Sequence, residues 1–216
     1  MSGVQTGALP ICQLGGQLGG LGVYIQWPFC LSKCPYCDFN SHVRDTYDEE
    51  AFLAAYIREL DHYRSRAFNM RTESIFFGGG TPSLMSADLV GALIDAVNLR
   101  FPLLPDAEIT LEANPTSVEA EKFAGYRAAG VNRLSIGVQS LRADALAALG
   151  REHSVDEARR ALTLAAKYFD RYSFDLIYAR EGQGVDDWQK ELAEAIQLSS
   201  GHMSLYQLTI EPGTAF

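Results

Sequence analysis

A chain of 216 residues, 47% of them hydrophobic, is long enough to bury a substantial core, and one globular domain is the default reading. With 27 acidic against 18 basic side chains the net charge is −9, a balance that repels polyanions and argues against a nucleic-acid substrate. No apolar run approaches the roughly 18 residues of a membrane span. The stretch before Lys33 carries no charge and so lacks the basic region of a signal peptide, which makes the cytoplasm the expected location.

Residues 1–22, MSGVQTGALPICQLGGQLGGLG, are rich in glycine and leucine without a regular period and read as a poorly ordered arm; residues 23–216 read as the folded core. The first strand is VYIQW at 23. A helix follows from about Thr46, where Thr46 and Glu49 suggest a capping box and Phe52, Leu53, Tyr56, Ile57 and Leu60 form an apolar stripe. The second strand, SIFF at 74, precedes a helix started by Ser86, with Leu89, Val90, Leu93, Ile94 and Val97 on its apolar face. EITLEA at 108 is the third strand, and Thr116 with Glu119 opens a helix ending near Gly130. RLSIGV at 133, a helix capped by Ser154 and Glu157, YSFDLI at 172, a helix begun by Asp186 and Gln189, and MSLYQLTI at 203 complete the alternation. Six strands alternating with helices imply parallel pairing through right-handed crossovers, in a doubly wound sheet or a partial βα barrel. Both bind ligands at the C-terminal ends of their strands.

The loop after the first strand reads YIQWPFCLSKCPYCDFNSH and contains Cys30, Cys34 and Cys37, three of the four cysteines, spaced C-x3-C-x2-C. In a reducing compartment such a group signals metal binding or catalysis rather than disulfides. A structural zinc would complete its tetrahedral shell with His42 or Cys12. A ferredoxin-type cluster would need a fourth cysteine, and the spacing does not match. A [4Fe-4S] cluster held by three thiolates leaves one iron open to a ligand other than protein, and the spacing favours this reading over zinc. Tyr36 supplies an aromatic face beside the open position or shields the metal from water.

At this point CLSKCPYCDF resembles the cluster loop of the radical S-adenosylmethionine (SAM) enzymes. The longer phrase is similar to the family that contains oxygen-independent coproporphyrinogen III oxidase and the haem chaperone HemW. The resemblance continues in fixed order through GGGTPS, LEANP, SIGVQS, LGREHS, FDLIYA and YQLTIEPGT, from about Val23 onward. It implies an α/β fold, a partial (β/α)6 barrel of the radical SAM type. It also implies SAM contacts from Tyr24, Tyr36, Gly79, Gly80, Thr81, Glu112, Gln139, Arg151 and Asp175, and cluster ligation by Cys30, Cys34 and Cys37.

The residue types suit those roles. Gly78, Gly79 and Gly80 let backbone approach a ligand closely, although an ordinary βα turn would also use them. Glu112, just before Asn114 and Pro115, is placed to accept bonds from two ribose hydroxyls. Gln139 and Arg151 suit the SAM carboxylate, since a guanidinium can hold it with two bonds. Asp175, after an apolar strand, is costly to bury without a partner such as a ribose or Arg151. By resemblance, an electron from the cluster cleaves SAM to methionine and a 5′-deoxyadenosyl radical. The electron comes from a flavodoxin or ferredoxin type of donor.

Two departures shape the functional expectation. Coproporphyrinogen oxidases extend the motif to a fourth cysteine where this chain has Phe39, and CDFNSH resembles the haem chaperone branch instead. The expected function is therefore a HemW-like chaperone that binds haem and transfers it to an acceptor protein. Oxidative decarboxylation of coproporphyrinogen III is the alternative within the fold, and a zinc-stabilised binding module is the alternative outside it. The family also continues past the sixth strand into further helical structure and a C-terminal domain, so a chain stopping at Phe216 is expected to be a fragment, a truncated product or a degenerate relative. A partial barrel of this kind exposes apolar surface and a strand edge, favouring weak stability or association.

Overall fold

The computed structural model of the chain describes residues 20–67 and 69–216. Strand β1 (Gly20–Trp27) leads into two two-residue strands, β2 (Phe29–Cys30) and β3 (His42–Val43), which pair with each other across the cysteine loop. Then come α1 (Glu49–Arg64), β4 (Arg71–Gly79), α2 (Ala87–Arg100), β5 (Leu103–Ala113), the short helices α3 (Ser117–Ala120) and α4 (Phe123–Ala128), β6 (Arg133–Gln139), α5 (Ala143–Ala148), α6 (Val155–Tyr168), β7 (Arg171–Tyr178), α7 (Val185–Leu198) and β8 (Ser204–Gln207). The six long-range strands form one sheet in the order β1-β4-β5-β6-β7-β8, every pair parallel. Each strand is added beside its predecessor with no reversal. That is the winding of a half-barrel; a doubly wound sheet would turn back at a switch point.

Strand periodicity sorts the side chains into two faces. Ile25 and Trp27, Ile75 and Phe77, Ile109 and Leu111, Leu134, Ile136 and Val138, and Phe174 and Leu176 pack outward into one core with Leu89, Leu93 and Val97 of α2, Phe123 and Tyr126 of α4, and Leu162 of α6. The alternate positions, Glu112, Ser135, Gly137, Gln139 and Asp175 among them, line the concave face. A polar inner face is what a ligand-holding half-barrel requires.

Several element starts differ from the sequence expectation. β1 begins at Gly20, inside the segment read as an arm; the remainder of that arm, with Cys12, lies outside the described residues. The cap of α1 is Asp48, whose Oδ1 accepts from Ala51 N–H at 2.9 Å, and not Thr46. Glu49 instead reaches α2, accepting from Ser86 N–H at 2.8 Å and from Ser86 Oγ at 2.5 Å. The cap of α7 is Gly184, two residues before Asp186, with its N–H donating to Asp187 at 3.3 Å. Thr116 caps as expected, but its helix breaks into α3 and α4. Ser86 and Ser154 cap α2 and α6 as read, Ser154 with Glu157 in a full capping box. At the β8 edge Leu205, Tyr206 and Ile210 are exposed, as expected for an open barrel. Among the described residues no helix is long and apolar enough to cross a membrane.

Candidate cofactor site

A cavity of about 360 Å³ opens at the C-terminal ends of the strands. The cysteine loop after β1 forms one wall, with Cys30, Cys34, Tyr36 and Cys37; Gly79 ends β4 and Gly80 and Thr81 follow it, Glu112 is the last residue but one of β5, Gln139 ends β6, and Arg151 and Asp175 complete the lining. Eleven of the twelve residues singled out by the sequence therefore meet in one cavity. The exception is Tyr24, whose ring stacks on Phe76 (5.7 Å, 9°) and whose hydroxyl lies against Gly78, outside the lining. It still feels the Glu112 carboxylate, which together with burial raises its pKa, burial being the larger cause.

Cys30, Cys34 and Cys37 are free thiols. A backbone bond from Cys37 N–H to Cys34 O (3.0 Å) turns the loop, and Ser41 N–H to Phe39 O and Arg44 N–H to Cys30 O hold its far side. Burial pushes the Cys37 thiol up, opposed by the Phe39 backbone and reinforced by the neighbouring thiols. His42 is exposed on β3 and outside the cavity, so the structure does not bring it to the cysteines as a fourth ligand. Among the described residues no set of three His, Cys, Asp and Glu side chains converges on one metal ion. A cubane cluster binds each thiolate through a separate iron and so takes a wider triangle than a single ion does.

Pro35 packs on Gly150, whose φ of +63° and lack of a side chain admit the proline; a Cβ there would lie 2.5 Å from Pro35 Cδ. On the other side Ala215 N–H donates to Pro35 O at 2.9 Å, and Phe216 tilts against Tyr36 at 6.3 Å. The loop is thus clamped between α5 and the segment after β8. That segment also lines the cavity through Leu208, Thr209 and Glu211, beside Gln207 at the end of β8.

Arg151 is the centre of the polar wall. Its Nη1 donates to Cys34 Sγ at 3.4 Å, and its Nη2 to Asn114 Oδ1 at 2.6 Å and Gly137 O at 3.0 Å. Its Nε is buried with no partner. Next to it, Gly137 leaves a space where an added Cβ would stand 3.0 Å from Gln139 Nε2, 3.6 Å from Arg151 Nη2 and 3.8 Å from Asn114 Oδ1. Gln139 is held in the left-handed region (φ 67°), and Ala179, after β7, is too (φ 58°). Strained backbone of this kind is retained where the fold fixes a functional geometry. Behind Arg151, the buried His153 faces Val138 O at 3.0 Å; a carbonyl only accepts, so Nε2 carries the proton. Burial and the Arg151 charge push its pKa down to about 4.

Glu112 and Asp175 both line the cavity, near enough for the Asp175 charge to act on Glu112. Burial, and then the Asp175 charge, push Glu112 up to about 7 against a backbone bond from Gly79. Burial pushes Asp175 up to about 6, opposed by Ser204, Arg133 and Arg151, and its Oδ1 has no partner. A raised carboxyl pKa means that the folded chain keeps a proton which the unfolded chain has lost. Glu112's contribution to stability is full below pH 4.5 and is lost as pH rises through about 7. Glu112→Gln stays neutral throughout, so its melting temperature relative to wild type is expected to climb between pH 4.5 and 8. A difference independent of pH would contradict this charge cost.

These features fit the expected cofactors: unpaired thiols without a closed ligand shell, a cradle at Gly137, and buried Arg151 Nε and Asp175 Oδ1 awaiting partners. Sequence reasoning passed over Asn114, Ser135 and Gly137 as site residues. The period-two pattern of RLSIGV places Ser135 and Gly137 beside Gln139 and carried the signal.

The comparisons with known proteins agree with this geometry. The radical SAM superfamily model matches residues 24–195. The haem chaperone HemW of Escherichia coli is 45% identical over 202 residues, 93% of this chain and 53% of the relative. The mitochondrial radical S-adenosyl methionine domain-containing protein 1 of Danio rerio is 41% identical over 193 residues, 89% of this chain and 44% of the relative. Among solved structures, the radical SAM enzyme coproporphyrinogen III oxidase (HemN) from Escherichia coli superimposes with a TM-score of 0.81 at 26% identity, covering 89% of this chain and 45% of that one. The chain spans about half the length of the curated relatives it matches. With the half-barrel, the cysteine loop and a family match across most of its length, the chain belongs to the radical SAM superfamily.

Proposed function

We propose that this chain is the cofactor-binding core of a haem chaperone, which binds haem as cargo and passes it to an acceptor protein. The observation that carries the reading is the cysteine loop itself: three free thiols line the cavity while Phe39 stands where a fourth cysteine would be, in a chain 45% identical to a haem chaperone over 93% of its length.

In this reading Cys30, Cys34 and Cys37 hold a [4Fe-4S] cluster, and Arg151 and Gln139 receive the SAM carboxylate. Glu112 and Asp175 accept the ribose hydroxyls, and the backbone of Gly79, Gly80 and Thr81 holds the amino end. When bound, cluster and SAM supply one-electron chemistry, fed by a flavodoxin- or ferredoxin-type donor. The chain's own residues orient the ligand, while Tyr36, Leu208 and the loop clamp limit water at the cluster wall.

Anaerobic incubation of the reconstituted protein with haem tests the proposal. A Soret shift that saturates at stoichiometric haem, followed by haem transfer to an apo-acceptor, is expected. The HemN likeness favours a second reading, oxidative decarboxylation of coproporphyrinogen III. Formation of a vinyl-bearing porphyrin without haem transfer would establish that reading instead.

A further inference from the structure

Glu119 does not reach the cavity. It is 4% exposed, at the end of α3, yet its carboxylate joins two of the loops that build the site. Ser83 Oγ, in the turn after Gly80 and Thr81, donates to Glu119 Oε2. The same oxygen accepts from Asn114 N–H at 3.3 Å, and Thr116 Oγ1 donates to Oε1 at 3.3 Å. The Asn114 N–H also leans on Ser83 Oγ at 3.2 Å. Lys122 completes the unit, donating to Ser83 O (3.1 Å) and Leu84 O (3.0 Å), and Tyr126 donates to Ser83 O at 2.7 Å.

The fixed Asn114 then uses both ends of its side-chain amide on the cavity wall. Oδ1 accepts from Arg151 Nη2 at 2.6 Å, and Nδ2 donates to Thr81 Oγ1 at 3.4 Å. A carboxylate outside the pocket thereby helps to set the backbone of the residue that aims Arg151, the only guanidinium among the described residues lining it. Arg151 has other anchors in Gly137 O and Cys34 Sγ, but Asn114 makes its shortest bond.

We propose that Glu119 is a positioning residue for the carboxylate end of SAM, acting through Asn114 on Arg151. The proposal rests on reading the cavity as a SAM site. Without Glu119, the Asn114 backbone loses one of its two buried acceptors, and the other, Ser83 Oγ, loses the carboxylate that orients it; the Asn114 amide and the Arg151 that it aims are then held less firmly, while the adenosine end at Glu112 and Asp175 is untouched.

The test compares anaerobic binding of SAM and of 5′-methylthioadenosine, which keeps the adenosine and lacks the amino acid, to reconstituted wild type, Glu119→Ala and Glu119→Gln. Cluster content and melting temperature are recorded in parallel. Glutamine keeps one oxygen for Ser83 and Asn114 and turns its NH₂ to Thr116 Oγ1. Glu119→Ala is expected to lose about tenfold in SAM affinity with little change for 5′-methylthioadenosine, the size of one charge-assisted bond, and Glu119→Gln to recover most of it. Equal losses for both ligands, or none for either, would overturn the positioning role. A wild type that binds neither ligand would instead refute the SAM reading of the cavity, and the positioning role with it.

Discussion

Arg151→Ala is expected to weaken SAM binding about 100-fold, close to 3 kcal/mol, the upper range for hydrogen bonds to a charged group. The guanidinium is already oriented by Asn114 Oδ1 and Gly137 O, and its Nε is buried without a partner. A carboxylate docking there would find preorganised donors and complete their bonding. Arg151→Lys should recover little of the loss, because an ammonium cannot reach Asn114, Gly137 and the ligand in one plane. Isothermal titration under anaerobic conditions measures both variants. A loss below about threefold for Arg151→Ala would remove Arg151 from the binding account.

Gly79→Ala is the second large effect, and it acts on the scaffold. Gly79 ends β4 with φ at +110°, and a Cβ there would lie 2.8 Å from Trp27 O and 2.8 Å from Gln26 Cγ on β1. The loop that follows is tied to the same place by Gly80 N–H to Trp27 O (2.6 Å) and Thr81 N–H to Phe29 O (2.8 Å). Alanine would therefore bring backbone strain together with a backbone collision, and β1 would have to part from β4. We expect a loss of about 3 kcal/mol, read as a melting temperature lower by ~6–12 °C for a domain of this size. Gly182→Ala separates the two causes. Gly182 also has positive φ (+72°), but nothing lies within 4 Å of its would-be Cβ, so only the strain of about 1 kcal/mol is expected. Equal losses at the two glycines would show that the close approach to β1 contributes nothing.

The half-barrel was legible because each strand segment has a buried, β-branched or aromatic register separated by capped helices. Ser86 and Ser154 stand where their hydroxyls accept from the first helical turn. The misplaced start of α1 has a tertiary cause, whereas that of α7 is a local choice between nearby carboxylates, Gly184 N–H taking Asp187. Glu49 fits a capping box with Thr46 by spacing, but in the fold it serves Ser86, 37 positions away, and Asp48 caps the helix. The cavity residues were legible as motifs after strand ends, since parallel strands deliver their C-terminal loops to one rim. What sequence alone did not disclose was connection. The bond from Arg151 to Asn114 spans 37 positions and that from Ser83 to Glu119 spans 36, and no local periodicity reports either. Tyr24 shows the opposite limit: it lies on the inward register of β1 as its motif implies, yet packs on Phe76 instead of lining the cavity. In His42 a suitable ligand chemistry lies close in sequence to the thiols but outside their cavity, its residue paired with Phe29 in the short β2–β3 ladder and exposed.

The account turns on three thiolates holding a cluster whose remaining iron takes SAM. Electron paramagnetic resonance of the anaerobically reconstituted, reduced protein measures this directly, with and without SAM, beside Cys34→Ala. The account predicts a [4Fe-4S] signal in wild type that changes on adding SAM, and no such signal in the variant. A wild-type protein that assembles no cluster, or one whose signal is indifferent to SAM, would contradict it.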